Sequence, residues 1–171
     1  MKKPLLILAV ALLGLAACKK DDDPNNNNNN NNVSLEAVIN GAWEVTDVKR
    51  TSDQVIQGTP IYLDFTTQNI SQPSTFVFND TIAEADIRYG YTARDLNTNT
   101  PYNSGWMDIE GSFTVEGSLL RVFDGSGNLI IRYNASSISQ NGMELSHTDT
   151  VIEPGIDLTE YTTERFTLTR L

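Results

Sequence analysis

His147 is the only histidine in the chain and Cys18 the only cysteine. An imidazole can exchange a proton near neutral pH, and a thiolate can attack a carbonyl or bind zinc. Either task needs partners: an oriented acid or base within reach, or three to four nitrogen and sulfur ligands around a metal. One His and one Cys do not complete such a set, and the spacing shows no Ser–His–acid arrangement. Asp124, Ser126 and Asn128 in "DGSGN" place oxygen ligands at alternate positions, as calcium loops do. The stretch lacks the following glycine and the distal glutamate of an EF-hand, so it reads as a hairpin turn. The chain therefore reads as a non-enzyme without metal or cofactor. The remaining candidates are aromatic. Tyr89, Tyr91, Tyr102, Trp106 and Tyr133, with His147 as a polar group, can line a cavity for an apolar or sugar ligand. They can equally fill a core. Tyr89, Tyr91 and Trp106 flank the long polar loop "RDLNTNTPYNSG", so they are the candidates for a mouth.

The first residues supply an address. "MKKPLLILAVALLGLAAC" has a basic start at Lys2 and Lys3, then an apolar run from Leu5 to Ala17 that ends in small residues. That run is shorter than the roughly 20 residues a membrane-spanning helix needs, and residues 1–17 read as a signal peptide. "LAAC" resembles the bacterial lipobox. The resemblance implies cleavage before Cys18 and attachment of diacylglycerol and an N-acyl chain such as palmitate to that residue. Each buried CH₂ of such chains adds about 0.8 kcal/mol of membrane affinity. A lipidated Cys18 leaves no thiol for a disulfide. "KKDDDP" and the eight asparagines Asn25–Asn32 follow. Such a polar run cannot bury apolar surface, so residues 18–32 read as the lipidated Cys and a disordered tether. The Lys-Asp block after the Cys resembles the export signal of surface-displayed outer-membrane lipoproteins, which implies an outer-membrane, outward-facing location.

Residues 33–171 suit one domain with its own core. The chain carries a net charge of −10, and of its 22 acidic residues only Asp21, Asp22 and Asp23 precede residue 33. An acidic domain is repelled by nucleic acid and by anionic lipid, which leaves the acyl anchor as the membrane connection and nucleic acid outside the set of partners.

Positioning the aromatic candidates requires strands. After "SLEAVIN", which reads as one or two helical turns, apolar residues alternate with period two. Trp43 falls with Val45; Ile61 with Leu63 and Phe65; Phe76 with Phe78; Ile87 with Tyr89 and Tyr91. Further on, Phe113 falls with Val115, Leu120 with Val122, Leu129 with Ile131 and Tyr133, Met143 with Leu145 and His147, and Phe166 with Leu168 and Arg170. Glu116-Gly117, "DGSGN" and Asn141-Gly142 read as hairpin turns between antiparallel neighbours. The expected fold is all-β: an up-and-down antiparallel barrel of eight to nine strands, with a two-sheet sandwich as the alternative. Asp80-Thr81-Ile82 and Asp149-Thr150-Val151 resemble a bacterial three-residue O-glycosylation signal, and each reads equally as an ordinary turn.

Gly41-Ala42-Trp43 on the first strand resembles the G-x-W motif of lipocalins, and Arg170 on the last strand matches the basic residue those barrels stack over that tryptophan. "GSFTVEGSLLRV", "IRYNASSIS" and "MELSHTD" are similar to segments of bacterial lipocalin-like lipoproteins. The likeness spans residues 35–171. It implies that Gly41, Trp43 and Arg170 close a barrel whose interior binds a small apolar or amphipathic ligand without chemistry. The alternative is a filled barrel that docks on another envelope protein, a glycan or a foreign enzyme. The chain departs from transport lipocalins between the last two strands, where "DTVIEPGIDLTEY" replaces a helix. Labelled palmitate should co-migrate with the wild-type protein and not with Cys18→Ser; equal labelling of both would place the lipid elsewhere.

Overall fold

The computed structural model describes residues 33–171; the signal peptide, Cys18 and the tether through residue 32 lie outside the described residues. Ser34 caps one helical turn, α1 (Leu35–Val38), by accepting the Ala37 N–H at 3.3 Å. Nine antiparallel strands follow in a single sheet: β1 (Gly41–Ile56), β2 (Thr59–Ile70), β3 (Thr75–Asn79), β4 (Glu84–Asp95), β5 (Pro101–Glu116), β6 (Leu119–Phe123), β7 (Leu129–Ser136), β8 (Gly142–Glu153) and β9 (Leu158–Arg170). A short 3-10 turn, Pro154–Ile156, joins the last two strands. β1 also pairs with β9 from Trp43 to Ile56, so the sheet closes in a ring and the sandwich does not form.

The nine strands fill eight lanes. β2 and β3 share one lane, interrupted at Ser71–Ser74 where the Gln72–Pro73 peptide is cis. β1 pairs with β2 over Lys49–Ile56 and with β3 over Gly41–Glu44, and β4 pairs with both along its other side. A ring of about eight strands is just wide enough for its own side chains to fill it. Aromatic rings do so here: Phe76 lies 5.7 Å from Tyr133, 5.4 Å from Phe166 and 5.9 Å from Tyr89, centroid to centroid.

Most of the alternation survives across four register shifts, at Val45/Asp47, Thr67/Asn69, Gly90/Thr92 and Val122/Phe123. A bulge between Val45 and Asp47 shifts β1 by one residue, so Trp43, Val45 and Val48 are all buried. A second, between Val122 and Phe123 against β7, pairs Phe123 with Leu129. Leu129 is thereby turned outward, 53 % exposed, and does not join Ile131 and Tyr133. The connections also differ in part. "DGSGN" is a hairpin turn: the Asp124 carboxylate accepts the backbone N–H groups of Ser126 and Asn128, each at 2.8 Å, and the Asn128 side chain at 3.0 Å. Those bonds, the Asn128 side chain first, hold the Asp124 carboxyl below its usual range. Asn141-Gly142 is not a two-residue turn. Ser137–Asn141 forms a longer connection, pinned where Ser139 and Gly142 exchange hydrogen bonds. Asp80–Thr81 begins the β3–β4 turn, whereas Asp149–Val151 lies within β8 and is not a turn.

One end of the ring has a floor. Trp43 is fully buried, and its Nε1 donates to the Ile39 carbonyl at 2.9 Å just past α1. The Arg170 guanidinium lies 4.5 Å from the indole centroid, a cation–π stack. It also donates to the carbonyls of Val38, Asn40 (3.1 Å) and Gln140 (2.9 Å). Gly41 makes this possible: its φ of +125° disfavours other residues, and a Cβ there would sit 3.1 Å from Arg170 Nη1. Removing the indole by Trp43→Ala should lower stability by roughly 3–5 kcal/mol in urea unfolding. Gly111→Ala should also destabilise, by about 1–3 kcal/mol, because its Cβ would lie 2.0 Å from the Phe123 carbonyl oxygen. A loss below about 1 kcal/mol for Trp43→Ala would contradict the plugged floor.

Candidate functional site

The end opposite the floor is notched. β6 pairs with β5 only over Ser112–Glu116, and β7 pairs with β8 only between Asn134–Ser136 and Glu144–Ser146. Beyond those pairs, residues 101–111 of β5 have no ladder to β6, and residues 147–153 of β8 have none to β7, among the described residues. A cup of about 300 Å³ sits in this gap. Tyr89, Tyr102, Ser104 and Met107 line one side, and Ile131 lies beneath.

The other side is a plate of inward-facing residues on β1, β9 and β8. Register sets Arg50 beside Glu164 and His147 in one row, Ser52 beside Thr162 and Asp149 in the next, and Gln54 beside Glu160 and Val151 in the third. Arg50 Nη1 donates to Glu164 Oε1 at 2.9 Å, with only 14 % and 12 % of the two side chains exposed. Arg50 also donates to Thr162 Oγ1 at 3.3 Å and stacks 4.0 Å over the Tyr102 ring. The Tyr91 hydroxyl donates to the same Glu164 oxygen. Burial first, then the Glu164 charge, pushes the Tyr91 and Tyr89 phenols well above their usual range, so both stay neutral. Glu160 Oε1 accepts from Ser52 at 2.6 Å and Thr162 at 3.2 Å. Partial burial pulls the Glu160 pKa up, but hydrogen bonds from Ser52, Gln54 and Thr162 outweigh it and hold the group below its ordinary value.

The candidate residues separate into layers. His147 faces the cup, its ring centroid 5.9 Å from that of Tyr133. Tyr89 is buried and lines the cup from the core, 4.7 Å from Phe166. Tyr102 is half-buried at the wall, Tyr91 is buried beneath Glu164, and Tyr133 is wholly core. Trp106 does not join them. Tyr89 pairs with Met107, which points it inward, while Trp106 pairs with Gly90 on the outer wall and is 49 % exposed. Its ring covers Gly90, where a Cβ would come within 3.0 Å of the indole. Arg50, Ser52, Glu160, Thr162 and Glu164 escape a search for apolar alternation. Their signal is the same alternation continued with polar residues in "RTSDQ" and "EYTTE".

Other concavities differ in kind. A wider depression of about 1040 Å³ lies on the outer wall beside Val77, Asp86, Glu110 and Asp124. Among the described residues, the one trio of potential metal-ligand atoms within 4.8 Å of one another is Asp86, Asp108 and Glu110. Arg88 already pairs with all three, at 3.0, 3.2 and 2.9 Å respectively. The cup brings apolar side chains together with inward-facing charged groups. No protein-family model, curated protein or solved structure matches the chain.

Glu164→Leu leaves the Arg50 charge without its counter-ion and should cost about 3 kcal/mol in urea unfolding, whereas Arg50→Met with Glu164→Leu should lose less than the two single changes summed. Additive losses would mean that the pair is not coupled. Because the folded pKa of Glu160 is lowered, its contribution to stability is complete above the ordinary value of 4.5 and is lost as pH falls through the folded value. Ser52→Ala should raise the Glu160 titration midpoint measured by NMR and reduce the acid-side loss; an unchanged midpoint would remove Ser52 from this role.

Proposed function

We propose that the chain is a lipid-anchored envelope protein whose barrel binds a small amphipathic ligand without covalent chemistry. The observation that carries this reading is the cup. The lower interior is filled by aromatic rings, yet about 300 Å³ remains open at the notched end, lined by apolar and aromatic groups together with Arg50, Asp149, Glu160 and Glu164. That volume lies at the small end of ligand pockets. The G-x-W resemblance at Gly41–Trp43 and the stacked Arg170 support kinship with lipocalin-like proteins. "LAAC" supports an acylated Cys18, and the Lys-Asp block supports an outer-membrane, outward-facing location.

A second reading, a module that docks on an envelope protein or glycan, draws on the outer face of the β2–β1–β9–β8 ribbon. Tyr62 and Tyr161 flank Asp53 there, and Ile152 and Val55 follow in the next row. All four apolar residues are exposed.

Mass spectrometry of small molecules released from the purified full chain should find an amphipathic compound of roughly ten non-hydrogen atoms, at about 30 Å³ each. Met107→Trp, which fills the cup, should abolish its retention, while Trp106→Ala on the outer wall should not. Retention unaffected by Met107→Trp would move binding elsewhere. No released ligand, together with partner capture lost in Tyr62→Ser and Tyr161→Ser, would favour docking.

A further inference from the structure

We infer that the cup takes a small alkyl amine in its ammonium form. This rests on the ligand-binding reading and names the ligand's class. Arg50 is the only Lys or Arg in the lining, and Glu164 neutralises it at 2.9 Å. Two further carboxylates, Glu160 and Asp149, face the same space, and neither forms an ion pair among the described residues. The cup therefore holds an excess of negative charge that a bound cation would offset.

Besides the Arg50 Nε–H, which has no partner among the described residues, the lining offers carboxylate acceptors. Asp149 takes the Thr150 N–H on Oδ1 at 2.8 Å, and its other oxygen has no protein donor. His147 Nδ1 lies 3.0 Å from the Arg132 carbonyl oxygen. A carbonyl only accepts, so the hydrogen of that contact sits on Nδ1. Glu160 is held ionised by Ser52 and Thr162. A ligand carboxylate would meet these groups as like charge, whereas an ammonium supplies three N–H donors and a positive charge.

The rest of the lining excludes a bare metal ion. The side-chain ligand atoms of Asp149, Glu160 and His147 are not among the trios that converge within 4.8 Å. An inorganic ion would also leave Met107, Ile131, Val151 and the face of Tyr89 uncovered. A flexible alkyl chain covers them while its charged end reaches the carboxylates. At about 30 Å³ per non-hydrogen atom, roughly ten atoms fit, the size of an eight-carbon amine.

The test compares n-octylammonium, n-octanoate and n-octanol by titration calorimetry on the full lipidated chain in phosphatidylcholine nanodiscs, with empty nanodiscs subtracted. Octylammonium should bind at least about tenfold more tightly than either of the others, a difference one well-placed charge pair can supply. Asp149→Asn with Glu160→Gln should shrink that preference to about twofold or less, with circular dichroism melting showing the fold intact. Octanoate or octanol binding as tightly as the amine overturns the amine assignment and leaves the ligand-binding reading standing. A preference that survives Asp149→Asn with Glu160→Gln also overturns it. Failure of all three probes to bind overturns both.

Discussion

The seam between the first and last strands governs everything else in this domain. A sheet that stays open exposes a row of unpaired N–H and C=O groups along each edge, and a nine-stranded sheet has no second layer to cover its apolar face. Pairing β1 with β9 from Trp43 to Ile56 removes both problems together. The seam is locked at its lower end by side chains rather than by backbone alone. Arg170 ties β9 to carbonyls before β1 and in the β7–β8 connection, and it does so from the face of the Trp43 indole. Gly41 is the enabling detail, since any side chain there would push the guanidinium off the ring.

The interior then divides by what each level can solvate. Near the floor the eight lanes are complete, and only rings and aliphatic groups fill the space. Higher up, the β5–β6 and β7–β8 ladders have ended and the ring opens into the cup. That is where Arg50, Glu160 and Glu164 occur. A charged pair deep in the sealed half would lose hydration that its mutual attraction does not restore. At the notch it keeps some solvent, gains the Tyr91 hydroxyl and Thr162, and stacks on Tyr102. Of the four buried polar atoms without a hydrogen-bond partner among the described residues, Arg50 Nε and the Tyr133 hydroxyl belong to residues at or near this boundary.

Period-two alternation carried the strand count, the helical turn and most of the core, because burial on one face of a sheet leaves a direct trace in residue order. It failed where backbone geometry changes phase. No residue type between Val45 and Asp47 announces a bulge, yet that bulge turns Arg50 inward. Trp106 is a mouth candidate from its place beside the long loop, but register with β4 puts Met107 opposite Tyr89 and Trp106 opposite Gly90, and register is a property of two strands. The pairing of Trp43 with Arg170 was legible because both lie where a closed sheet must join. The polar plate was not, because inward hydrophilic residues resemble the end of a strand unless a notch is known to sit beside them.

The notch also leaves two rows of peptide groups, on β5 and on β8, without a strand partner among the described residues, an edge of the kind that can template a strand from another molecule. Those rows carry Asp108 and Glu110 on one side and Asp149 and Glu153 on the other. Two copies approaching edge to edge would bring like charges together, in a chain whose net charge is already −10. Such repulsion acts over a Debye length of about 10 Å at 0.1 M salt and contracts to about 3 Å at 1 M. Crowded molecules are thus kept apart by like charge that salt screens, so self-association of the intact fold is a question of salt before it is one of unfolding.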